Sequence, residues 1–331
     1  MTGLSDSFQR PINYIRVSIT DRCNFRCVYC MPESGVQWMP HTNILSYEEI
    51  LTIIRAGAEM GINRVRITGG EPLVRAGIVN FVRMVAQIPG MEDISMTTNA
   101  LLLAENAVAL KQAGLDRVNI SLDTLQPEKF NKICRSAEKG ASLARVLEGI
   151  EAAYQTGLSP VKINMVVMAG INDDEILDFA RKTIDHEWHV RFIELMPFTG
   201  HNGQTPKGLT AREIKKRLDP LGKMEPYKHT RGNGPAKYYH LPEAKGTIGF
   251  ITAISEHFCI NCNRLRLTAD GQLRPCLMSE TMIDLREPLR KGISSDELKK
   301  LIQQAVNAKP MGHHLIEGQN PNDRPFCQVG G

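Results

Sequence analysis

Cys23-Asn-Phe-Arg-Cys27-Val-Tyr-Cys30 places three cysteines in one short segment, directly after a stretch that is typical of a β-strand. A structural zinc site is normally closed by four ligands, whereas a four-iron cluster held by three thiolates keeps one iron open. Because no second cysteine pair lies nearby in the sequence, the spacing favours the cluster over zinc, which stays the alternative. We expect an iron that is free to bind a small molecule.

Outward from this motif, β-rich runs alternate with segments that have helical spacing of apolar residues. The six runs are Ile15–Thr20, Arg64–Gly70, Ile94–Asn99, Arg117–Asp123, Val161–Met168 and Val190–Met196. Six β-then-α units predict a parallel sheet with right-handed crossovers. The predicted fold class is therefore α/β, an incomplete (βα)6 TIM-like barrel over residues 1–200, with its chemistry at the carboxyl ends of the strands.

Residues 201–331 differ in composition and are predicted to form a C-terminal extension of the barrel. This extension carries a second triplet, in which Cys259-Ile-Asn-Cys262 is followed after thirteen residues by Cys276. These three cysteines again lack a fourth ligand, and His257 could complete a zinc site. The spacing alone leaves both a cluster and zinc open.

The bulk composition limits the classes of function. The chain has 331 residues, 42% of them hydrophobic, and a net charge of +4, a mild excess that suits an anionic substrate and does not demand nucleic acid. No signal peptide is recognisable, and no apolar stretch approaches the ~18 residues of a transmembrane helix. We therefore expect a cytoplasmic protein with no membrane or nucleic-acid partner, whose clustered cysteines bind metal.

Two motifs carry a resemblance to a known family, Asp21-Arg-Cys-Asn-Phe-Arg-Cys-Val-Tyr-Cys-Met-Pro32 and Thr68-Gly-Gly-Glu-Pro72. The chain resembles the radical S-adenosylmethionine superfamily and, within it, the GTP 3',8-cyclases of molybdenum cofactor biosynthesis. The resemblance implies a lyase that uses S-adenosylmethionine and two [4Fe-4S] clusters. It also implies the conversion of GTP to 3',8-cyclo-7,8-dihydro-GTP, a precursor of molybdopterin.

The resemblance further implies roles for residues of both triplets and of the strand ends. The first cluster, which binds S-adenosylmethionine, would be held by Cys23, Cys27 and Cys30, and the second, which binds guanine, by Cys259, Cys262 and Cys276. The implied S-adenosylmethionine-binding residues are Tyr29, Gly70, Glu71, Ser121 and Met196. The implied GTP-binding residues are Arg16, Arg66, Thr97, Lys162, Arg264, Leu265 and Arg266. The C-terminal Gly330 and Gly331 would enter the active site.

Three of these cations are informative without the resemblance. Arg16, Arg66 and Lys162 lie within predicted barrel strands, where an unpaired charge is costly to bury. They predict an anionic partner or, as the alternative, internal ion pairs. The carboxylates available for such pairs are Glu71, Asp123 and Glu194.

Other interpretations of single residues stay open. Without the resemblance, the residues favour a satisfied hydroxyl for Ser121 and a core position for Met196, and the Gly69-Gly70 pair is as readily a plain turn. Cys134 and Cys327 have no assigned role.

Partners and rival functions complete the expectations. The implied partners are GTP, a flavodoxin-like or other reductase as electron donor, and a downstream pterin-forming enzyme, and a homodimer is compatible with the sequence. The rivals are a peptide-modifying radical enzyme with an auxiliary cluster, and a zinc-bound nucleic-acid module.

Overall fold

The computed structural model describes residues 3–136, 138, 140–196, 206–228, 232, 234–313, 324 and 326–329. Within these residues, twelve strands form a single sheet. The strands are β1 (Tyr14–Ser18), β2 (Arg64–Thr68), β3 (Asp93–Thr98), β4 (Arg117–Ser121), β5 (Lys162–Val167), β6 (His189–Glu194), β7 (Glu225–Tyr227), β8 (Lys237–His240), β9 (Thr247–Ile251), β10 (Arg264–Leu267), β11 (Gln272–Arg274) and β12 (Ile283–Asp284).

The sheet has the strand order β12-β11-β10-β1-β2-β3-β4-β5-β6-β9-β8-β7. Strands β1 to β6 run parallel in chain order, and β10 and β9 add one parallel strand at either edge. Antiparallel pairs of β11 with β12 and of β7 with β8 finish the edges. Among the described strands no pairing joins the two ends, so the barrel is incomplete, as predicted.

Helices follow the parallel strands and cover the outer face of the sheet. Three of them begin with complete capping boxes, at Ser46, Thr210 and Ser294. None of the described helices is both long enough and apolar enough to cross a membrane. The helices are α1 (Tyr47–Glu59), α2 (Ile78–Ala86), α3 (Leu103–Gln112), α4 (Pro127–Cys134), α5 (Leu143–Gln155), α6 (Ile176–Asp185), α7 (Ala211–Leu218), α8 (Arg286–Arg290), α9 (Ser295–Asn307) and α10 (Phe326–Val329).

The two faces of the sheet differ in chemistry. On β1, Ile15 is buried in the apolar core under the helices, whereas the next residue, Arg16, faces an inner cavity. On β10, Leu265 is likewise in the core, and its neighbours Arg264 and Arg266 line the cavity. Because side chains alternate along a strand, every second residue of a buried strand points inward. The inner face can therefore be polar without weakening the core.

The structure extends the predicted barrel at both edges. The sequence predicts six parallel strands, and the structure contains these six together with β9 and β10 from residues 201–331. Neither added strand is followed by an α-helix that returns to the sheet. Strand β9 leads through a short 3-10 turn to β10, and β10 turns directly into β11. That is why the βα rhythm did not reveal them. Helix α4 was also not predicted.

Candidate active site

A cavity of about 210 Å³ lies on the inner face of the sheet. Residues from all parts of the chain meet here. Of the predicted site residues, those that line the cavity are Arg16, Tyr29, Arg66, Thr97, Ser121, Met196, Cys259, Cys262, Arg264, Arg266 and Cys276. The first triplet lies beside the cavity, which it contacts through Tyr29, and its own cysteines are not among the lining residues.

The loop that carries the first triplet is held in place by α4 and the residue that follows it. The Arg26 N–H donates to the carbonyl of Cys134 at 2.8 Å. The guanidinium of Arg135 donates to the carbonyls of Arg26, at 2.8 Å, and Met31, at 2.9 Å. The middle of the cysteine loop and the residue that follows Cys30 are thus fixed by the protein itself.

The glycine pair after β2 packs against the same loop. The N–H of Gly70 donates to the carbonyl of Thr20, and the N–H of Glu71 to that of Arg22, both at 2.8 Å. A Cβ atom on Gly70 would lie 2.2 Å from the carbonyl oxygen of Arg22. Only glycine fits there, and the backbone that it approaches is that of the protein's own cysteine loop.

The second triplet opens directly into the cavity. Cys259 begins a short 3-10 turn that Cys262 ends, and Cys276 follows β11. Burial raises the pKa of the Cys262 thiol, but the adjacent cations of Arg264 and Lys309 lower that pKa to about 6. A thiolate, which is the form that binds metal, is therefore stabilised at this position.

Cations crowd the inner face next to the second triplet. The strand register places Arg266, Arg16 and Arg66 side by side on β10, β1 and β2. Like charges opposite one another on strands about 4.8 Å apart destabilise a sheet. Burial, together with the charges of Arg117 and Arg191, lowers the pKa of Arg66 to about 10.

Lys162 extends this basic surface on β5 but is covered by a loop. Its side chain is buried, and a Cβ atom on Gly232 would lie 2.7 Å from its Nζ. Burial, followed by the charges of Arg191 and Arg117, lowers the pKa of Lys162 to about 5. An anion bound beside Lys162 would raise the pKa of its amine, so that the amine would again be protonated.

The carboxylates that could neutralise these cations are engaged elsewhere. Glu71 accepts hydrogen bonds from two backbone N–H groups and one hydroxyl, Asp123 from one N–H and one phenol, and Glu194 from three N–H groups. The Nε atoms of Arg16 and Arg191 are buried without a hydrogen-bond partner among the described residues. Within the described residues these three acids bind other partners, which favours an anionic ligand over internal pairing as the partner of the cations.

Comparison with known proteins identifies the family. The model of the radical SAM superfamily matches residues 17–183, and that of Molybdenum Cofactor Synthesis C matches residues 188–315. A GTP 3',8-cyclase of Pelotomaculum thermopropionicum is 50% identical over 331 residues, covering 99% of this chain and 100% of its own. One of Heliobacterium modesticaldum is 52% identical, covering 98% and 99%. The chain belongs to the radical SAM superfamily, in the GTP 3',8-cyclase family.

Solved structures agree with the radical SAM fold. Streptococcus suis SuiB superposes with a TM-score of 0.63 at 15% identity, covering 96% of this chain and 77% of its own. The protein anSMEcpe with bound AdoMet superposes with a TM-score of 0.57 at 12% identity, covering 97% and 90%. At these identities the likeness shows the fold alone, and it confirms the predicted barrel.

In a radical SAM chain, the residues predicted to bind S-adenosylmethionine fall into two groups. Tyr29, Ser121 and Met196 line the cavity, and the phenol of Tyr29 donates to Asp123 Oδ2 at 2.8 Å. Burial raises the pKa of Asp123 to about 6. Glu71 is fully buried, and burial raises its pKa to about 7 against the hydrogen bonds that it accepts. In the ligand-free chain, Glu71 therefore organises the ends of β2 and β3.

The sulfur atoms of each triplet are spread more widely than three ligands of one zinc ion. Within the described residues, neither triplet has its three sulfur atoms all within 4.8 Å of one another. A tetrahedral zinc with Zn–S bonds of about 2.3 Å would hold them about 3.8 Å apart. A tighter set does form from His257, Cys259 and His313, whose ligand atoms lie within 4.8 Å. These three residues therefore form a candidate zinc site at the edge of the second triplet.

Leu265 differs from the other predicted GTP-binding residues. Its side chain packs in the outer core with Ile15, so the backbone alone could face a nucleotide. The predicted roles of Gly330 and Gly331 concern residues outside the described part of the chain.

Sequence reasoning missed three cations at the site. Arg117 and Arg191 lie in predicted strands, so the argument that singled out Arg16 would have found them. Arg117 pairs with Asp93, and Arg191 Nη2 donates to an amide oxygen, that of Asn119, at 2.6 Å. Lys309 follows α9 and donates to two backbone carbonyls, at 2.7 and 2.6 Å. No sequence pattern marks it.

Proposed function

We propose that this chain is a GTP 3',8-cyclase, a lyase that converts GTP to 3',8-cyclo-7,8-dihydro-GTP in molybdenum cofactor biosynthesis. One observation carries the proposal: a second cysteine triplet and a row of three arginines line the same cavity. A nucleotide needs one binding site for its base and a separate cationic surface for its phosphates, and this cavity offers both.

The cations of the inner face would hold the triphosphate. Arg266, Arg16 and Arg66 form the centre of this cationic surface, and Lys162 lies farther along the sheet. A guanidinium donates two parallel hydrogen bonds to an oxyanion, which fixes the orientation of a phosphate as well as its position. Thr97 adds a hydroxyl to the same lining.

Cys259, Cys262 and Cys276 would hold one [4Fe-4S] cluster, and Cys23, Cys27 and Cys30 the other. When bound, the first cluster and S-adenosylmethionine supply the one-electron chemistry that removes a hydrogen atom from the ribose of GTP. The protein's part is placement, because a radical reacts with the nearest hydrogen. Tyr29, Ser121 and Met196 line the cavity and would orient S-adenosylmethionine.

The remaining assignments follow from this reaction. We assign residues 1–200 to the barrel and residues 201–331 to the region that holds the second cluster and GTP. The enzyme needs an electron donor such as a flavodoxin-like reductase, and a pterin-forming enzyme to consume its product. We place it in the cytoplasm, and a homodimer is compatible with the proposal.

Product analysis tests the proposal. The full chain is reconstituted anaerobically with iron and sulfide, then incubated with GTP, S-adenosylmethionine and dithionite. We expect about eight irons per chain, from two four-iron clusters, with 5'-deoxyadenosine and 3',8-cyclo-7,8-dihydro-GTP formed in equal amounts. Zinc without iron, or cleavage of S-adenosylmethionine with no consumption of GTP, would overturn it.

A further inference from the structure

We propose that His257, Cys259 and His313 bind one zinc ion in the cluster-free protein, and that zinc bound there prevents assembly of the second cluster. The zinc site stands on the geometry of the three side chains. The competition rests on the proposed function, since it assumes that Cys259 is also a cluster ligand. The cyclase would then be sensitive to zinc at one defined position.

The three side chains come from two segments that are distant in sequence and adjacent in the fold. Their ligand atoms all lie within 4.8 Å of one another, and His257 Nδ1 lies 3.2 Å from His313 Nε2. Two imidazole nitrogens that bind one tetrahedral zinc are about 3.3 Å apart. Across the part of the chain that the structure describes, no other three His, Cys, Asp or Glu side chains bring their ligand atoms so close together.

Arg10 holds the two segments together. Its Nη1 donates to the carbonyls of Cys259, at 2.7 Å, and Met311, at 3.0 Å, and its Nη2 to that of Pro310, at 2.7 Å. Asp6 fixes the guanidinium, because its Oδ2 accepts from Arg10 Nε at 2.6 Å, and both side chains are buried. The backbone is therefore in place before an ion binds, and zinc binding need not order a loop.

The ligand set selects zinc over iron. Imidazole nitrogen and thiolate sulfur are the ligands that zinc takes in proteins, and three protein ligands leave its fourth position for water. Such donors bind Zn²⁺ more tightly than Fe²⁺. His257 is exposed and the other two residues are half-buried, so an ion can reach the site from solvent before a cluster is assembled.

Zinc and the second cluster cannot share Cys259. When zinc binds, the Cys259 thiol loses its proton to water, and one Zn–S and two Zn–N bonds form. Any proton on a ligating ring nitrogen moves through water to the other nitrogen of that ring, and no electron is transferred. Cys262 and Cys276 then remain for iron, and two thiolates do not replace the three that the cluster needs.

Zinc affinity is measured first, on full-length, chelator-treated chains under anaerobic conditions, by competition with a coloured chelator. His257→Ala should bind Zn²⁺ at least about 100-fold more weakly than wild type, because losing a group behind a metal ligand already costs about 10- to 100-fold. His186→Ala removes another exposed histidine, at the end of α6, and should bind zinc like wild type. Equal affinity in all three proteins would overturn the zinc site.

X-ray absorption at the zinc edge identifies the ligands directly. Wild type with one equivalent of zinc should show one sulfur at about 2.3 Å and nitrogen or oxygen ligands at about 2.0 Å. A shell of three sulfurs would mean that a cysteine triplet binds the ion, and would overturn the site. His313→Ala must weaken zinc binding as His257→Ala does.

Reconstitution measures the competition. The same chains, with one equivalent of zinc or none, receive iron and sulfide. Zinc should lower the iron content of wild type and His186→Ala from about eight to about four per chain and leave His257→Ala at about eight, since one of two four-iron clusters is blocked. Full loading of zinc-treated wild type, or equal iron loss in all three proteins, would overturn the competition.

A second variant guards against misfolding. If His257→Ala loses helical content by circular dichroism, His257→Gln replaces it. The outcome is separable from that of the proposed function, because the affinity measurement needs neither iron nor GTP. A zinc-free wild type that makes no cyclised product refutes the cyclase assignment, while the zinc affinities still report on the site.

Discussion

The two cysteine triplets differ in how the protein builds and surrounds them. The first lies on one short loop, pinned by Arg135 and the Gly69-Gly70 pair, and contacts the cavity through Tyr29. The second spans residues 259–276 and lies open to the cavity beside Arg264 and Lys309. One site is anchored by hydrogen bonds to its backbone, and the other lines the cavity among positive charges. This difference fits the proposal that the first triplet serves reactive chemistry and the second serves substrate binding.

Removing one cysteine from each triplet should separate these roles most sharply. Cys27→Ala is expected to abolish formation of 5'-deoxyadenosine, because the cleavage of S-adenosylmethionine needs the first cluster. Cys262→Ala is expected to abolish the cyclised product while 5'-deoxyadenosine still forms. Chromatography of both products under anaerobic conditions makes the measurement, with iron content as the control. If Cys262→Ala also stops 5'-deoxyadenosine formation, the division of roles is wrong.

Gly70→Ala should damage the first site and spare the second. The new Cβ would overlap the Arg22 carbonyl at 2.2 Å and displace the cysteine loop. We expect iron to fall from about eight to about four per chain, since one of two four-iron clusters is lost. Gly3→Ala is the control, because a Cβ there meets no atom within 4 Å. Full iron loading in Gly70→Ala would show that the loop tolerates the shift.

Arg266→Met tests whether the arginine row beside the second triplet binds the phosphates of GTP. A charge-assisted hydrogen bond contributes about 1.5–3 kcal/mol, so GTP affinity should fall roughly 10- to 150-fold. Equilibrium dialysis with labelled GTP measures the change, and iron content shows that the second cluster is retained. Lys299→Met, which removes a surface cation paired with Glu59 outside the cavity, should bind GTP like the wild type. Equal affinity in both variants would argue against the phosphate role of the arginine row.

The sequence predicted the regular part of the fold because periodic strands and capping boxes are local signals. All six predicted strand runs begin within one residue of the observed strands. Strands β9 and β10 lie outside the βα rhythm, and they join the sheet edges through contacts distant in sequence. Spacing likewise revealed the cysteine triplets.

The finer roles in the site depend on contacts that sequence does not encode locally. The glycine pair was expected to approach a ligand, yet Gly70 contacts Arg22 of the cysteine loop. Leu265 was grouped with two arginines, but strand alternation turns its side chain into the core. In each case the deciding neighbour lies far away in the chain.

Proton uptake on nucleotide binding is the smallest expected effect and the one most specific to the basic face. Lys162 has a pKa of about 5 in the ligand-free protein, so its amine is mostly neutral at pH 7. A bound triphosphate raises this pKa, and binding must therefore take up a proton. GTP affinity should fall as pH rises above about 5, by at most about tenfold per pH unit. Calorimetry in buffers of different ionisation enthalpy counts the proton.

Lys162→Met should lose this proton uptake, whereas Lys299→Met should keep it. The stability of the ligand-free protein provides an independent check on the sign. Because the unfolded chain holds the proton that folded Lys162 lacks, the free energy of unfolding should gain a positive contribution as pH rises above about 5. Lys162→Met removes that contribution. Unchanged proton uptake in Lys162→Met would mean that another group on the basic face, and not Lys162, takes up the proton when GTP binds.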